Sequence, residues 1–370
     1  MHEKHPKLPR PTQGHYARTE LAFVGSTCER MEALMSEWMG ALSPQHRCLL
    51  VTGEHGDSAV EATARVGRKR FSTNRAAWND YDDRLVGREY DLALVNGNHY
   101  PAAKQIVFVD PAKAGTLERR KDQLTDIFAL INVDGSTPIP EWLQEHCSRQ
   151  HRPPVATTLS MLDVVLAALR QLLHANTPPL HALILAGGRS TRMGTDKSSL
   201  VYREGKTELQ RLHELCMACH LPTRISVRED EIADYPAPTV ADRFLGLGPA
   251  GAICSAFMQH PDVAWLVLAC DLPLMDRATL ERLVAARDFS ATATAVRGPG
   301  REWPEPLVAI YEPRAYPRLL QFLGLGYSCP RKMLINSPTK LVDLETMTPL
   351  TNANTPEERD RVLGRIGREN

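Results

Sequence analysis

Ala182-Leu183-Ile184-Leu185-Ala186-Gly187-Gly188-Arg189-Ser190-Thr191-Arg192-Met193-Gly194-Thr195-Asp196-Lys197 is the stretch on which the reading of this chain turns. Its first four residues are an unbroken apolar run, of the kind buried on both faces of a parallel sheet. The run passes into a glycine pair, which lets the backbone approach a ligand with no Cβ in the way. The N–H groups of such a turn can point at a nucleobase edge or a phosphate. Arg192 and Lys197 bring positive charge to the same loop, one as a planar fork and the other as a compact point charge. The spacing is not that of a P-loop. Five residues separate Gly188 from Gly194, and Lys197 comes three after Gly194, whereas a P-loop places its lysine directly after the second glycine. Nor does the string fit G-x-G-x-x-G.

Three further segments extend this picture. Trp265-Leu266-Val267-Leu268-Ala269-Cys270-Asp271-Leu272-Pro273 reads as a buried strand with an aspartate at its tip. Ligands of open α/β sheets sit outside the carboxyl ends of strands, and Mg²⁺ beside a triphosphate prefers one or two carboxylates. Asp271 is therefore the candidate metal ligand, its alternative role being a cap for the next turn. Asp242-Arg243-Phe244-Leu245-Gly246-Leu247-Gly248-Pro249-Ala250-Gly251 reads as a tight entry into a helix, whose N-terminus favours anions. In Thr351-Asn352-Ala353-Asn354-Thr355-Pro356-Glu357-Glu358, the part from Asn354 onward reads as a helix start, with a cap residue, a proline in the first turn and acids behind it, which does not account for Asn352.

Together these strings resemble the molybdenum cofactor guanylyltransferases of the MobA type. The first resembles their L-A-G-G-x-x-x-R-M-G-x-D-K signature, the second their C-D-x-P segment, the third D-x-x-x-G-x-G-P-L-x-G, and the last N-I-N-T-P-E. Ala250 stands where the family has leucine. Glu305 to Tyr311 and Arg331 to Leu334 are shorter echoes. The resemblance runs from about Leu180 to the end of the chain. It implies a Rossmann-like, GT-A-like three-layer sandwich that moves GMP from GTP to molybdopterin. It also implies nucleotide contacts by Leu185, Ala186, Gly187, Gly188, Lys197, Asp242, Asn352 and Asn354. Lys197, Arg192 and Asp271 would be catalytic, and Asp271 would bind Mg²⁺. Left open are CMP transfer to the same cofactor, nucleotidyl transfer to a sugar or lactate phosphate, and a non-enzymatic cofactor-binding protein. Partners beyond the substrates would be cofactor insertion proteins or recipient molybdoenzymes.

Further apolar runs recur at 21–24, 48–51, 92–95, 106–109 and 128–131 in the first half, and at 224–227, 291–294 and 307–310 in the second. Helical segments separate many of them. That alternation predicts two α/β domains with mainly parallel sheets, over 18–175 and 180–370, divided where Pro178-Pro179 follows a helix. The first half faintly resembles MobB, the GTP-binding adaptor of molybdenum cofactor synthesis. Its turn, Val24-Gly25-Ser26-Thr27-Cys28-Glu29-Arg30, lacks the P-loop lysine, and Asn96 stands where that family has an acid. The resemblance therefore implies a degenerate, P-loop-NTPase-like domain without catalysis. His99 and Glu54-His55-Gly56-Asp57 read as solvated loop residues rather than metal ligands.

Lysine plus arginine balance aspartate plus glutamate at 44 each, so no overall field favours nucleic acid or an anionic membrane. The N-terminal stretch does not read as a secretory signal, and no run approaches the about 18 apolar residues of a membrane span. A cytoplasmic location is expected, and with it eight free thiols. Cys216-Met-Ala-Cys219-His220 matches a haem attachment pattern in letters. Its helical apolar face, Leu209, Leu212, Leu215 and Cys216, argues instead for thiols packed on an amphipathic helix.

Overall fold

The computed structural model describes all residues except 1–6, 44, 54–61, 67–68, 74–78, 187–199, 204, 229–234, 354 and 370. The chain divides into two units, one of Thr12–Thr177 and one of Pro178–Asn370 together with the N-terminal residues up to Pro11.

The first unit runs β1 (Thr19–Val24), α1 (Cys28–Leu42), β2 (Cys48–Val51), a hairpin of β3 (Ala62–Val66) and β4 (Lys69–Thr73), α2 (Asp80–Gly87), β5 (Leu92–Asn96) and β6 (Lys104–Val109). It continues through α3 (Ala114–Arg119), β7 (Ile127–Asn132), α4 (Glu141–Ser148), β8 (Val155–Thr158) and α5 (Asp163–Ala175). Six strands form one sheet in the order β2-β5-β1-β6-β7-β8, with every pair parallel. Alternate residues serve opposite faces. Leu21, Phe23, Leu92, Leu94, Ile106 and Phe108 pack under α1 and α5. Ala22, Val24, Ala93, Val95 and Val107 face Leu117 and Leu143 of α3 and α4. Burial on both faces is why these strands read as continuous apolar runs.

The second unit runs β9 (Leu180–Leu185), the short pair β10 (Val201–Arg203) and β11 (Lys206–Thr207), α6 (Glu208–Ala218), β12 (Thr223–Val227), β13 (Thr239–Ala241), α7 (Pro249–Gln259) and β14 (Ala264–Ala269). Then come α8 (Arg277–Ala285), β15 (Ala293–Arg297), β16 (Val308–Tyr311), α9 (Ala315–Gly324), α10 (Pro330–Ile335), β17 (Thr339–Asp343) and α11 (Pro356–Glu369). The sheet order is β13-β12-β9-β14-β16-β15-β17. Leu266 and Leu268 face the layer of α6 and α8. Trp265 and Val267 face α7, α9 and α10. The result is the three-layer α/β sandwich that the motifs implied.

Two details differ from the sequence reading. β16 runs antiparallel to both of its neighbours. No crossover helix lies between β15 and β16, and without one the chain must return antiparallel. The strand expected at 291–294 starts at Ala293 instead. Thr292 N–H already bonds the Pro338 carbonyl at 2.7 Å just before it. The hairpin β3–β4 and the strands β8, β13 and β17 were not visible in the sequence, because each is short, polar or half-exposed.

A buried ion pair ties the start of the second unit to its sheet. Arg287 meets Glu312 in bidentate fashion, Nε to Oε1 at 2.7 Å and Nη2 to Oε2 at 2.9 Å, and Nη2 also donates to the Pro178 carbonyl at 2.8 Å. The Glu312 side chain is 1% exposed. Arg287→Ala would leave that carboxylate buried without its partner, so unfolding free energy should fall by about 3–5 kcal/mol. A urea melt of the full chain reads the shift; an unmoved midpoint refutes it.

Candidate active site

In the second sheet the chain leaves β9 first to one side, to β12 and β13, and later returns to the other side as β14. The crevice outside the carboxyl ends of β9 and β14 is therefore the topological switch point, where open α/β sheets bind their ligands. Leu185 is in register with Ser226 on β12 and Ala269 on β14. Ala186 is buried and its N–H bonds the Ser226 carbonyl at 3.1 Å. Gly187, Gly188, Arg192 and Lys197 lie outside the described residues, as does Asn354.

Asp271 follows β14 at this edge and is half-buried. Its carbonyl accepts the Ala353 N–H at 3.2 Å. Ala353 is fully buried in a cluster with Leu200, Tyr202, Leu274, Val362 and Ile366. Leu200 is the first described residue after the glycine loop. Leu200, Leu274 and the Asn352 segment thus share one apolar seat, and Asn352 is exposed beside it. The helix start expected from Thr355 onward is present at the head of α11. Thr355 Oγ1 accepts from Glu358 N–H, and Glu358 Oε2 accepts from Thr355 N–H, each at 3.2 Å, a reciprocal capping box.

Behind Asp271 lies a polar group that the sequence did not announce. Glu208, at the start of α6, is 1% exposed and chelated by Arg211 Nε at 3.1 and 2.9 Å. Burial pushes its carboxyl above the usual range, and the arginine opposes the shift. Arg211 also donates to the carbonyls of Leu272 and Met275, at 3.0 and 2.9 Å. It thereby fixes the turn that carries Asp271. The phenol of Tyr202 is pushed up to about 12, chiefly by burial and then by Glu208.

Asp242 follows β13 at the same sheet edge. Its Oδ1 accepts from Phe244 N–H and from Ser255 Oγ, both at 2.9 Å, while Ser255 Oγ accepts from Arg243 N–H at 2.8 Å. The carboxylate therefore shapes its own loop. Gly251 is required there for contact: a Cβ on it would meet the Phe244 carbonyl oxygen at 2.3 Å. Ser255→Ala removes one donor and one acceptor from a fully buried position. The expected loss is about 1–3 kcal/mol, read as a lower melting temperature; wild-type melting would show that the serine is dispensable.

Arg228, directly after β12, is a cation at this edge that sequence reasoning missed. Arg331 and Lys332 are engaged elsewhere. Arg331 bonds the Pro304 carbonyl and Glu305, both at 3.1 Å, and Lys332 Nζ lies 3.5 Å from the centre of the Tyr327 ring. All eight cysteines are free. Cys216 is buried in the core and its thiol is pushed up to about 12 by burial, as its place on the apolar face of α6 suggested. No helix among the described residues is long and apolar enough to cross a membrane.

The family model described as MobA-like NTP transferase domain matches residues 182–339, which makes this Rossmann-like sheet that of a nucleotidyltransferase domain. The chain belongs to the molybdenum cofactor guanylyltransferase family. It is 31% identical over 187 residues to a Pseudomonas putida protein of that name, covering 49% of this chain and 95% of the relative. It is 30% identical over 187 residues to a Synechocystis molybdenum cofactor biosynthesis bifunctional protein, with 50% of this chain and 54% of the relative covered. The chain thus spans about half the length of that larger relative. A solved structure of molybdopterin-guanine dinucleotide biosynthesis protein A from Archaeoglobus fulgidus aligns with 51% of this chain and 99% of its own, at 21% identity and a TM-score of 0.43.

Proposed function

We propose that this protein transfers GMP from GTP to the terminal phosphate of molybdopterin and releases pyrophosphate. The observation that carries the reading is the bond between the Asp271 carbonyl and the Ala353 N–H. It joins two of the family's motifs, far apart in sequence, at the switch point of the sheet. The name of the Pseudomonas putida relative supports guanylyl rather than cytidylyl transfer.

The acceptor phosphate is already ionised, so no side chain has to act as a nucleophile. The protein's task is in-line positioning and neutralisation of charge. In this proposal Leu185, Ala186, Gly187 and Gly188 present backbone groups to the guanine and the phosphates. Arg192 and Lys197 hold phosphate oxygens, and Lys197 stabilises charge as pyrophosphate leaves. Asp242, Asn352 and Asn354 border the bound substrates. The donors suit Mg²⁺. Asp271 offers hard carboxylate oxygens, while its soft neighbour Cys270 is buried in the core. A bound Mg²⁺ would offset phosphate charge beside Asp271.

Pyrophosphate release tests the proposal, with GTP, CTP or UTP supplied in turn alongside Mg²⁺ and molybdopterin. Release with GTP alone is expected. Release with CTP alone would establish the cytidylyl alternative, and no release with any nucleotide would point to a cofactor-binding protein.

For the first unit we infer a non-catalytic role in scaffolding or in docking cofactor insertion proteins or recipient molybdoenzymes. Its β1 turn has no P-loop lysine. Arg30 in that turn is committed to Asp110 at 2.7 Å, and Asn96 is fully buried, donating to Glu32 at 2.7 Å.

A further inference from the structure

The first unit brings a thiol and an imidazole together at the carboxyl edge of its sheet. Cys28 is the first residue of the 15-residue helix α1, directly behind its cap Thr27. Its Sγ lies 3.6 Å from His99 Nε2 and 3.4 Å from Asn98 Nδ2. The orientation of the Asn98 amide is fixed by its surroundings. Nδ2 lies 3.1 Å from the Ser26 carbonyl oxygen, which can only accept. Asn98 Oδ1 faces Arg120 Nη1 at 3.5 Å. One N–H of Asn98 therefore serves Ser26, and the other points at the sulfur of Cys28.

The loop that carries both partners is braced. Arg120 donates to the Gly97 and Asn98 carbonyls at 2.7 and 3.0 Å, and His99 N–H bonds the Asn96 carbonyl at 3.0 Å. Gly53 supplies the seat for the imidazole, since a Cβ there would come within 2.7 Å of the ring. Arg120 braces the loop side, and the N-terminus of α1 presents its positive end to Cys28. Among the described acids here, Glu32 accepts from Asn96, and Asp110 accepts from Arg30 and from Ser26 Oγ, at 2.7 and 2.8 Å. Glu29 is exposed in the first turn of α1.

We propose that Cys28 is a reactive thiolate, paired with His99 and oriented by Asn98, and is a site of reversible mixed-disulfide formation with low-molecular-weight disulfides. The imidazole takes the Sγ proton. The thiolate attacks one sulfur of the disulfide, a new S–S bond forms to Cys28 as the old one breaks, and the departing thiolate takes the proton back from the imidazolium. One thiol and one disulfide are consumed and one of each is produced. A thiolate beside a cationic imidazole at a helix N-terminus is the setting that activates cysteine.

The test uses the full-length wild-type chain. Iodoacetamide is added at about pH 6.5 and labelling of each cysteine peptide is followed by mass spectrometry. Cys28 should react at least about tenfold faster in the native chain than in the urea-unfolded chain, and glutathione disulfide should modify it before the exposed Cys329. Dithiothreitol should reverse the adduct. Native labelling of Cys28 no faster than unfolded labelling would overturn the proposal without any variant being made. His99→Gln, with its circular dichroism melt checked, should bring the native rate down to the unfolded rate; an unchanged rate removes the imidazole from the account.

Discussion

Asp271→Asn should lower turnover by about 10²–10³, with the lost activity partly recovered as Mg²⁺ is raised, because the substitution replaces a hard anionic oxygen donor with a weaker neutral one. The loss corresponds to about 3–4 kcal/mol of transition-state stabilisation. The substitution keeps the size of the side chain, and the backbone carbonyl that receives Ala353 N–H is untouched. The seat of the Asn352 segment should therefore survive, and a fall in activity would report the carboxylate rather than a displaced loop. The measurement is pyrophosphate release against Mg²⁺ concentration. A curve that superimposes on that of the wild type would show that Asp271 is not the ligand.

Lys197→Ala should lower turnover by a similar about 10²–10³, the loss typical of one preorganised charge donor. The argument rests on the sequence, since Lys197 lies outside the described residues. Its ammonium is the compact charge of the glycine loop, suited to phosphate oxygens that gain charge as pyrophosphate departs. The two kinetic constants separate its roles. A fall in kcat with little change in KM marks stabilisation confined to the transition state. A rise in KM alone marks simple GTP binding, and unchanged kinetics would remove the lysine from the mechanism. Arg192 has a different chemistry, with a planar fork that grips without following a moving charge. Replacing Lys197 with arginine should accordingly recover binding better than turnover.

Much of the fold was legible because burial on both faces leaves a simple trace. The runs at 92–95 and 265–268 coincide with the buried β5 and β14 almost to the residue, and the apolar run at 48–51 matches the half-buried edge strand β2. The haem-like string of α6 resolved correctly by the same logic of helical periodicity. The edge strands β13 and β17 were lost: they are exposed on part of their length and carry mixed side chains, so no apolar run marks them. The reversal of β16 was lost for another reason, since direction depends on the connection rather than on the strand's own residues.

The same division holds for the sites. Residue type and spacing mark the glycine loop, the aspartate after β14 and the Asn352 segment as candidates, because the character of a backbone turn is specified locally; the structure joins Asp271 to the Asn352 segment, and the glycine loop lies outside the described residues. What local sequence could not specify was company. That Ala353 closes onto Asp271, that Ser255 claims an oxygen of Asp242, and that Arg211 clamps the turn after Asp271 are all long-range hydrogen bonds. His99 is the sharpest case. Taken alone it is an ordinary loop histidine, and only the parallel pairing of β1 with β5 carries it to Cys28. Composition and periodicity determined which segments are strands and helices and which turns are candidate ligand loops, since those depend on near neighbours along the chain. The order of the strands decided which loops meet, since that depends on pairing between segments that the chain itself keeps far apart.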